Sequence, residues 1–299
     1  MTFSQNCTIL LPPNYRTQDF LAFHGRDSSG LSEQIFPDGL RKGMVWGGAP
    51  ACLSLTLDGN RAEVRLDADQ PPQAVIEPLE GLALRMLGLT QRIEDFERTY
   101  GNHPDVGRLI AQNPGLRLPV SASPLEAVVW AVTGQQISVG AALSVRRKLI
   151  GATDIRHSSG LLCHPDATAL AALPLEAFRA IGFSRTKAAA ILEIVTRLQS
   201  GALRLDDAFA PQAEEGLRQA LLAIPGIGPW TVSYALLRGF GLLDGSLHGD
   251  VAVRRGLQQL LNRSDKLTEK EAEHWLASFR PWRALIAAHL WALASKQSY

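Results

Sequence analysis

Residues 221–255 read LLAIPGIGPWTVSYALLRGFGLLDGSLHGDVAVRR, and this stretch decides how the second half of the chain folds. It predicts a helix end, a tight turn at residues 225–229, a second helix, a glycine-rich loop and a third helix after Asp250. The glycines of the turn, Gly226 and Gly228, let the backbone approach a partner closely and adopt positive φ. The helix that follows presents unpaired N–H groups, which is the geometry of an anion site.

Each of these features also has a plain structural interpretation. A glycine turn between two helices occurs in ordinary helical hairpins, where glycine caps the first helix. Asp250 precedes VAVRRGL, and an aspartate in that position is a common helix N-cap. The Gly-x-Gly spacing exceeds what a cap requires, and a capping carboxylate is held rigidly. The capping and the functional interpretations of Asp250 are therefore compatible.

Length and charge allow two domains with different partners. The chain has 299 residues, and residues 116–299 carry 20 basic and 15 acidic side chains, against 10 basic and 14 acidic in residues 1–115. The basic excess lies in the half with the turn, which favours nucleic-acid contact there, although ordinary scatter of surface charge explains it equally well. The few, widely separated cysteines are typical of the reducing cytoplasm, where we expect the protein. We expect no membrane contact, because the sequence has neither a signal-peptide pattern nor an apolar run of ~18–20 residues.

The periodicity of the two halves differs. The first half predicts a small antiparallel sheet covered by helices, with Asp58-Gly59-Asn60 as a strong hairpin signal and a helix at residues 17–24 capped by Thr17. From residue 125 onward almost everything reads as helix, including one expected to begin at Ile137. We therefore predict an α+β chain. An N-terminal sheet domain at residues 1–112 precedes an all-helical domain at residues 113–299, and the passage NPGLRLPVSASP begins the second domain.

Taken together, these patterns resemble the helix–hairpin–helix DNA glycosylases, and within them the DNA-3-methyladenine glycosylase II branch. Those enzymes follow the hairpin with a Gly/Pro-rich loop ending in a catalytic Asp, and HGDVAVRR at residues 248–255 is similar. PGLRLPVSASPLEAVVWAVTGQQISVGAA resembles their first long core helix and its Gly-Gln turn, and FRPWRALIAAHLWALA resembles their terminal helix. The resemblance covers essentially the whole chain and is strongest from about residue 113 to 295.

The resemblance implies an active site in a cleft between helical subdomains. Asp250 would be catalytic, stabilising the positively charged sugar or activating water while the N-glycosidic bond breaks. Trp230, Tyr234 and Trp291 would form an aromatic pocket for a flipped, damaged base, with Gln135 nearby. Ordinary core packing is the alternative for each ring.

Trp230 stands where family members that also cut the DNA backbone carry a lysine, which forms a Schiff base with the sugar. Tryptophan cannot be that nucleophile. The resemblance therefore implies a monofunctional glycosylase that excises alkylated bases such as 3-methyladenine from double-stranded DNA. Members with iron–sulfur clusters are disfavoured, because Cys7, Cys52 and Cys163 cannot supply four ligands. The alternatives are a glycosylase for oxidised or deaminated bases and a non-catalytic DNA-binding module.

The resemblance also assigns contacts with the DNA backbone. Gly226, Gly228 and Thr231 would bind phosphate. A monovalent cation, Na⁺ or K⁺, would bind the backbone carbonyls of Leu222, Ile224 and Ile227, and no other cofactor is expected.

The residue that fills the gap left by a flipped base stays open. The family places an apolar wedge where this chain has Gln136, and Ile137 is the alternative. Arg254 and Arg255 fit a phosphate contact, a role near Asp250 or a solvated helix face equally well. We expect a monomer that binds double-stranded DNA with damaged bases.

Overall fold

A computed structural model of the chain describes residues 2–73, 77–205 and 214–295. The described strands are β1 (Phe3–Leu10), β2 (Glu33–Phe36), β3 (Gly39–Trp46), β4 (Ala49–Asp58) and β5 (Arg61–Ala68). The helices of the first half are α1 (Thr17–His24), α2 (Leu79–Met86), α3 (Ile93–Tyr100) and α4 (Val106–Gln112). The helices of the second half are α5 (Pro124–Thr133), α6 (Val139–Thr153), α7 (Ala167–Ala171), α8 (Leu175–Ile181), α9 (Arg185–Gln199), α10 (Glu214–Leu222), α11 (Pro229–Phe240), α12 (Val251–Leu260), α13 (Glu269–Ala277) and α14 (Arg283–Ser295). This order confirms the predicted α+β class.

The strands form one antiparallel sheet in the order β1-β5-β4-β3-β2. The predicted hairpin joins β4 and β5: Asp58 pairs with Arg61, and Gly59 turns the chain with a φ of +56°. Buried and exposed residues alternate along most of β5, so Val64 and Leu66 lie on its buried face. Helices α1 and α2 pack against that face and complete the core of the sheet.

Three local features differ from the sequence predictions. Arg16, not Thr17, is the N-cap of α1, and its side chain pairs with Asp19 at 2.5 Å instead of capping, so the prediction for Thr17 is wrong. The Oγ of Ser138 accepts the Ala141 N–H, so α6 begins after Ser138 and leaves residue 137 outside the helix. Strand β2 was not predicted, because it is a short edge strand that pairs with β3 alone.

Helix α11 lies between two hydrophobic clusters of the helical half. Val232 and Leu236 pack with residues of α5 and α9 on one side, and Leu237 packs with residues of α12 and α14 on the other. Tyr234 contacts both clusters, so the boundary between them runs along this helix. No helix in the described ranges is long and apolar enough to cross a membrane.

The passage that begins the second domain is packed. Leu118 and Val120 are buried, and the backbone N–H of Ser121 donates to the Arg238 carbonyl at 2.7 Å. Helices α3 and α4 precede this passage, yet Phe96 and Leu109 pack with the C-terminal helices and not with the sheet. The domain boundary between residues 112 and 113 stays a prediction. The two halves share core contacts on both sides of it.

A buried charge cluster joins the sheet to the helical half. Lys42 of β3 donates to Glu33 of β2 at 2.5 Å and to Glu126 of α5 at 2.8 Å, and Arg146 of α6 contacts both carboxylates. All four side chains are nearly inaccessible to solvent. Burial alone would raise the pKa of Glu33 and Glu126, but the attraction of Arg146 and Lys42 outweighs it, so both carboxyls have a lowered pKa. His24 lies beside the cluster, and burial lowers its pKa to about 3.

Candidate active site

The glycine turn between α10 and α11 has the backbone geometry that its sequence predicts. Gly226 has a φ of +88°, and a Cβ there would lie 2.9 Å from Cγ2 of Thr186. Gly228 is the N-cap of α11, and Pro229 occupies its first turn. Neither glycine donates its N–H to another described residue, so both donors are available at the N-terminus of α11. An anion such as a phosphate fits this end of the helix.

Gln135 connects the turn after α5 to the glycine turn. Its side-chain amide donates to the Gly226 carbonyl at 3.0 Å and to Oγ1 of Thr231 at 2.9 Å. Thr231 is buried and its hydroxyl is engaged by Gln135, so a phosphate contact there would come from its backbone N–H.

The predicted cation site falls on the same glycine turn. The carbonyl of Ile224 accepts the Ile227 N–H at 3.0 Å, which uses one of its two lone pairs. The oxygen keeps a second acceptor direction, and oxygen ligands suit a hard monovalent cation. The carbonyls of Leu222, Ile224 and Ile227 therefore fit the cation chemically, and its binding stays a prediction.

Asp250 is both a helix cap and the centre of a polar site. Its Oδ1 accepts the backbone N–H groups of Ala252 at 2.8 Å and Val253 at 3.2 Å, which caps α12. The indole Nε1 of Trp291 also donates to Oδ1, at 3.3 Å, and that of Trp230 donates to Oδ2 at 3.0 Å. Oδ1 therefore receives three donors and Oδ2 receives one. Oδ2 keeps a free acceptor direction, and the half-buried carboxylate cannot rotate without losing these bonds.

The three predicted pocket aromatics lie together around this carboxylate. The rings of Trp230 and Tyr234 are stacked with their centroids 5.3 Å apart, and Trp291 is 6.2 Å from Tyr234. All three rings are partly exposed, unlike the fully buried core aromatics Phe96 and Phe178. An aromatic surface beside a carboxylate suits a flat, electron-poor or cationic ring. The structure brings these rings together with Asp250, as the resemblance implied.

The predicted wedge residues lie in the short loop between α5 and α6. Gln136 is exposed and has a φ of +55°, a left-handed conformation that is uncommon for residues other than glycine. Ile137 is 41% exposed because α6 begins after it. The ammonium of Lys187 donates to the carbonyls of Thr133 and Gln135 at 2.9 and 2.7 Å and holds this loop in place. Both wedge candidates remain open.

Arg254 and Arg255 separate in their roles. The guanidinium of Arg254 donates to the carbonyls of His248 and Gly249 and pairs with Glu269 at 2.9 Å. It therefore fastens the loop before Asp250. Arg255 is exposed on α12.

The rings of Trp230, Tyr234 and Trp291 form the aromatic group of the site. Three residues that adjoin it were not predicted from the sequence. Nε1 of Trp130 donates to the Tyr234 hydroxyl at 3.2 Å. The guanidinium carbon of Arg26 lies 4.1 Å from the Trp130 ring centroid, and that of Arg238 lies 5.8 Å from the centroid of Trp291. The only sequence signal was a large aromatic residue, Trp130, within the mostly apolar helix α5. Nothing local pointed to Arg26, because it reaches the site from the sheet half.

A comparison of the sequence with known protein families assigns the chain to one of them. The sequence model described as "HhH-GPD superfamily base excision DNA repair protein" matches residues 129–281, which is more than half of the chain. The chain belongs to the HhH-GPD superfamily. The match includes the hairpin and Asp250, and it confirms the resemblance drawn from the sequence.

Individual proteins that are similar to this HhH-GPD protein agree with that family assignment. DNA-3-methyladenine glycosylase 2 of Escherichia coli (strain K12) is 30% identical over 220 residues, 71% of this chain and 73% of the relative. The solved 3-methyladenine DNA-glycosylase of Archaeoglobus fulgidus superposes with a TM-score of 0.80 at 20% identity, over 98% of this chain and 100% of that one. The Schizosaccharomyces pombe 3-methyladenine DNA glycosylase Mag1, solved with abasic DNA, has a TM-score of 0.57 at 24% identity, over 67% of this chain and 95% of that one. The two structural likenesses show the shared fold.

Proposed function

We propose that the chain is a monofunctional DNA N-glycosylase that excises alkylated bases, 3-methyladenine and related methylated purines, from double-stranded DNA. The observation that carries the proposal is the Asp250 carboxylate, which the indoles of Trp230 and Trp291 fix beside the aromatic group. Membership of a base excision repair superfamily and the name of the Escherichia coli relative support the substrate class. Such an enzyme would initiate base excision repair, as a monomer in the cytoplasm.

Binding begins with the DNA backbone and the damaged base. The N–H groups of Gly226 and Gly228 bind a phosphate at the N-terminus of α11. The damaged base leaves the stack, at a cost of a few kcal/mol, and a residue of the loop at 136–137 fills the gap. A methylated purine with positive charge then binds the faces of Trp230, Tyr234 and Trp291 by cation–π attraction, worth about 0.5–2 kcal/mol per ring.

Bond cleavage follows from the position of the carboxylate. The electron pair of the N-glycosidic bond leaves with the base, which is already a good leaving group when methylation makes it cationic. The sugar becomes positively charged at C1′, and Oδ2 of Asp250, with its free acceptor direction, stabilises that charge. Water adds to C1′ and loses a proton, which gives an abasic site and leaves the DNA strand intact.

The functional assay uses DNA methylated at random. Purified protein is expected to release 3-methyladenine from this DNA, and chromatography of the supernatant identifies every released base. Release of oxidised or deaminated bases from duplexes that carry those lesions, with no release of methylated purines, would support the alternative glycosylase class. DNA binding with no release of any base would support a non-catalytic module, and either result contradicts the proposal.

The monofunctional assignment predicts that sodium borohydride will not trap the enzyme on DNA. Trapping requires an amine that forms a Schiff base with C1′, and the corresponding position holds Trp230, whose indole donates to Asp250. The assay incubates enzyme, damaged duplex and borohydride and resolves covalent complexes by denaturing electrophoresis. A known glycosylase/lyase on the same DNA serves as the positive control. A covalent complex with this protein would refute the assignment while leaving base release untouched.

A further inference from the structure

Arg26 brings a positive charge from the sheet half to the aromatic wall of the site. It follows the C-terminus of α1, after Gly25, and it is partly exposed. Its guanidinium carbon lies 4.5 Å from the Phe23 ring centroid and 4.1 Å from that of Trp130. Trp130 donates to the Tyr234 hydroxyl at 3.2 Å, so Arg26 is separated from the phenol end of Tyr234 by a single ring.

No carboxylate among the described residues pairs with the guanidinium of Arg26. Within the described residues it makes neither an ion pair nor a hydrogen bond, and its contacts are the two ring faces. The neighbouring Asp27 lies 3.6 Å from Arg147 instead. The carboxylates of Glu33 and Glu126, which line a small cavity next to Arg26, are engaged by Lys42 and Arg146. The N–H donors of Arg26 are therefore free for a ligand.

A second guanidinium adds to the charge at this end of the site. The guanidinium carbon of Arg238 lies 4.5 Å from the same Phe23 ring, on which Arg26 also stacks. Arg238 donates to the Pro119 carbonyl at 2.9 Å, and its Nε has no partner among the described residues. Burial lowers the pKa of Arg238, the interaction with Tyr234 partly offsets that effect, and the charge of Arg26 adds to the lowering. The aromatic group thus adjoins one carboxylate, Asp250, and has two guanidinium cations nearby.

We propose that Arg26 is a specificity-determining residue, which selects damaged bases that carry an exocyclic oxo group on the edge reaching the phenol end of Tyr234. A guanidinium presents a planar fork of donors, which a carbonyl oxygen accepts. An exocyclic amino group at the same place would set donor against donor and could not form this hydrogen bond. Arg26 therefore favours oxo bases such as 7-methylguanine and hypoxanthine beyond what their leaving ability alone would give, and release of 3-methyladenine does not depend on it.

This inference rests on the proposed glycosylase function and narrows its substrate class. It also separates the effect of hydrogen bonding from the effect of the charge on the base. Hypoxanthine is neutral and 7-methylguanine is cationic, yet both carry an oxo group, so a shared dependence on Arg26 reports hydrogen bonding and not the charge of the base. A site that read charge alone would treat those two bases differently.

The experiment compares wild type with the Arg26→Ala and Arg26→Gln variants. Initial rates of release of 7-methylguanine and 3-methyladenine come from one sample of methylated DNA, and that of hypoxanthine from an inosine-containing duplex. We expect Arg26→Ala to slow release of both oxo bases at least about tenfold while 3-methyladenine changes by less than about threefold. Arg26→Gln keeps one NH₂ donor and should retain part of the preference. Arg61→Ala, in the exposed hairpin of the sheet, is the matched control and should leave all three rates unchanged.

The outcomes distinguish a failure of the role of Arg26 from a failure of the proposed function. Equal losses for all three bases, no change, or a larger loss for 3-methyladenine would overturn the role of Arg26. Absence of release by the wild type would overturn the proposed function itself. If Arg26→Ala does not fold, the oxo-to-amino rate ratio of Arg26→Gln decides, and a ratio equal to that of wild type rejects the inference.

Discussion

The Asp250→Asn variant should lose base release by about 10²–10³-fold while its affinity for damaged duplex DNA stays within about threefold of wild type. Asparagine keeps an acceptor oxygen for the Ala252 and Val253 N–H groups, so α12 remains capped. The other oxygen becomes an NH₂ group, which cannot accept the Trp230 N–H or stabilise a positive sugar. Initial rates from methylated DNA, together with fluorescence anisotropy of a labelled duplex, measure the two effects separately.

A capping aspartate elsewhere in the chain supplies the control. Asp166 caps α7, and its carboxylate accepts the Ala169 N–H at 2.8 Å, as Asp250 accepts its own cap donors. Asp166→Asn should leave both base release and DNA affinity unchanged. If Asp250→Asn released 3-methyladenine at the wild-type rate, the carboxylate would be only a cap and the mechanism would be wrong. A parallel loss of DNA affinity would indicate a damaged binding surface.

The Glu126→Ala variant should lower the free energy of unfolding by ~3–5 kcal/mol. Removing this carboxylate leaves two buried cations, Lys42 and Arg146, facing the single carboxylate of Glu33. An uncompensated charge in the interior costs far more than the lost hydrogen bonds. Urea denaturation followed by circular dichroism measures the change, and an unaltered slope against urea shows that the unfolding transition is comparable.

A compensating double variant tests whether charge balance is the reason. Adding Lys42→Met to Glu126→Leu leaves Arg146 and Glu33 as a balanced pair, so the double variant should be at least about 1 kcal/mol more stable than Glu126→Ala. Glu193→Ala is the control: its ion pair with Arg197 lies on the exposed face of α9, and its loss should change stability by less than about 0.5 kcal/mol. A double variant less stable than Glu126→Ala would contradict the charge-balance explanation.

The parts of the site that were predictable from the sequence are contiguous in it. The glycine turn, the cap at Asp250 and the aromatic residue between them fall within one stretch of 35 residues, where helix periodicity and turn chemistry act locally. The hairpin at Gly59 was predictable for the same reason. The family resemblance then supplied the role of Trp291, which no local pattern could have linked to Asp250 across 41 positions.

The features that escaped prediction depend on distant pairs. Lys42 and Glu126 are 84 positions apart, and a charged residue within a strand or helix reads as exposed until its partner is known. Arg26 and Trp130 come from opposite halves of the chain. Strand β2 exists only because β3 offers it an edge. The conformation of the loop at Gln136 was also not predictable. Its left-handed glutamine is stabilised by the Lys187 contacts to neighbouring carbonyls and not by its own preference.

The amide of Gln135 has a consequence for how such an enzyme would search DNA. Because it bonds both Gly226 and Thr231, the loop carrying Gln136 cannot move independently of the hairpin. Under the proposed function, the distance between the proposed phosphate contact and the proposed wedge residue would therefore be fixed. Each base pair encountered during scanning would then have to deform to that distance, and weakly stacked or mispaired lesions deform at the lowest energy cost. The stiffness of the duplex would then be the first property that distinguishes intact from damaged DNA, before any base reaches the aromatic rings.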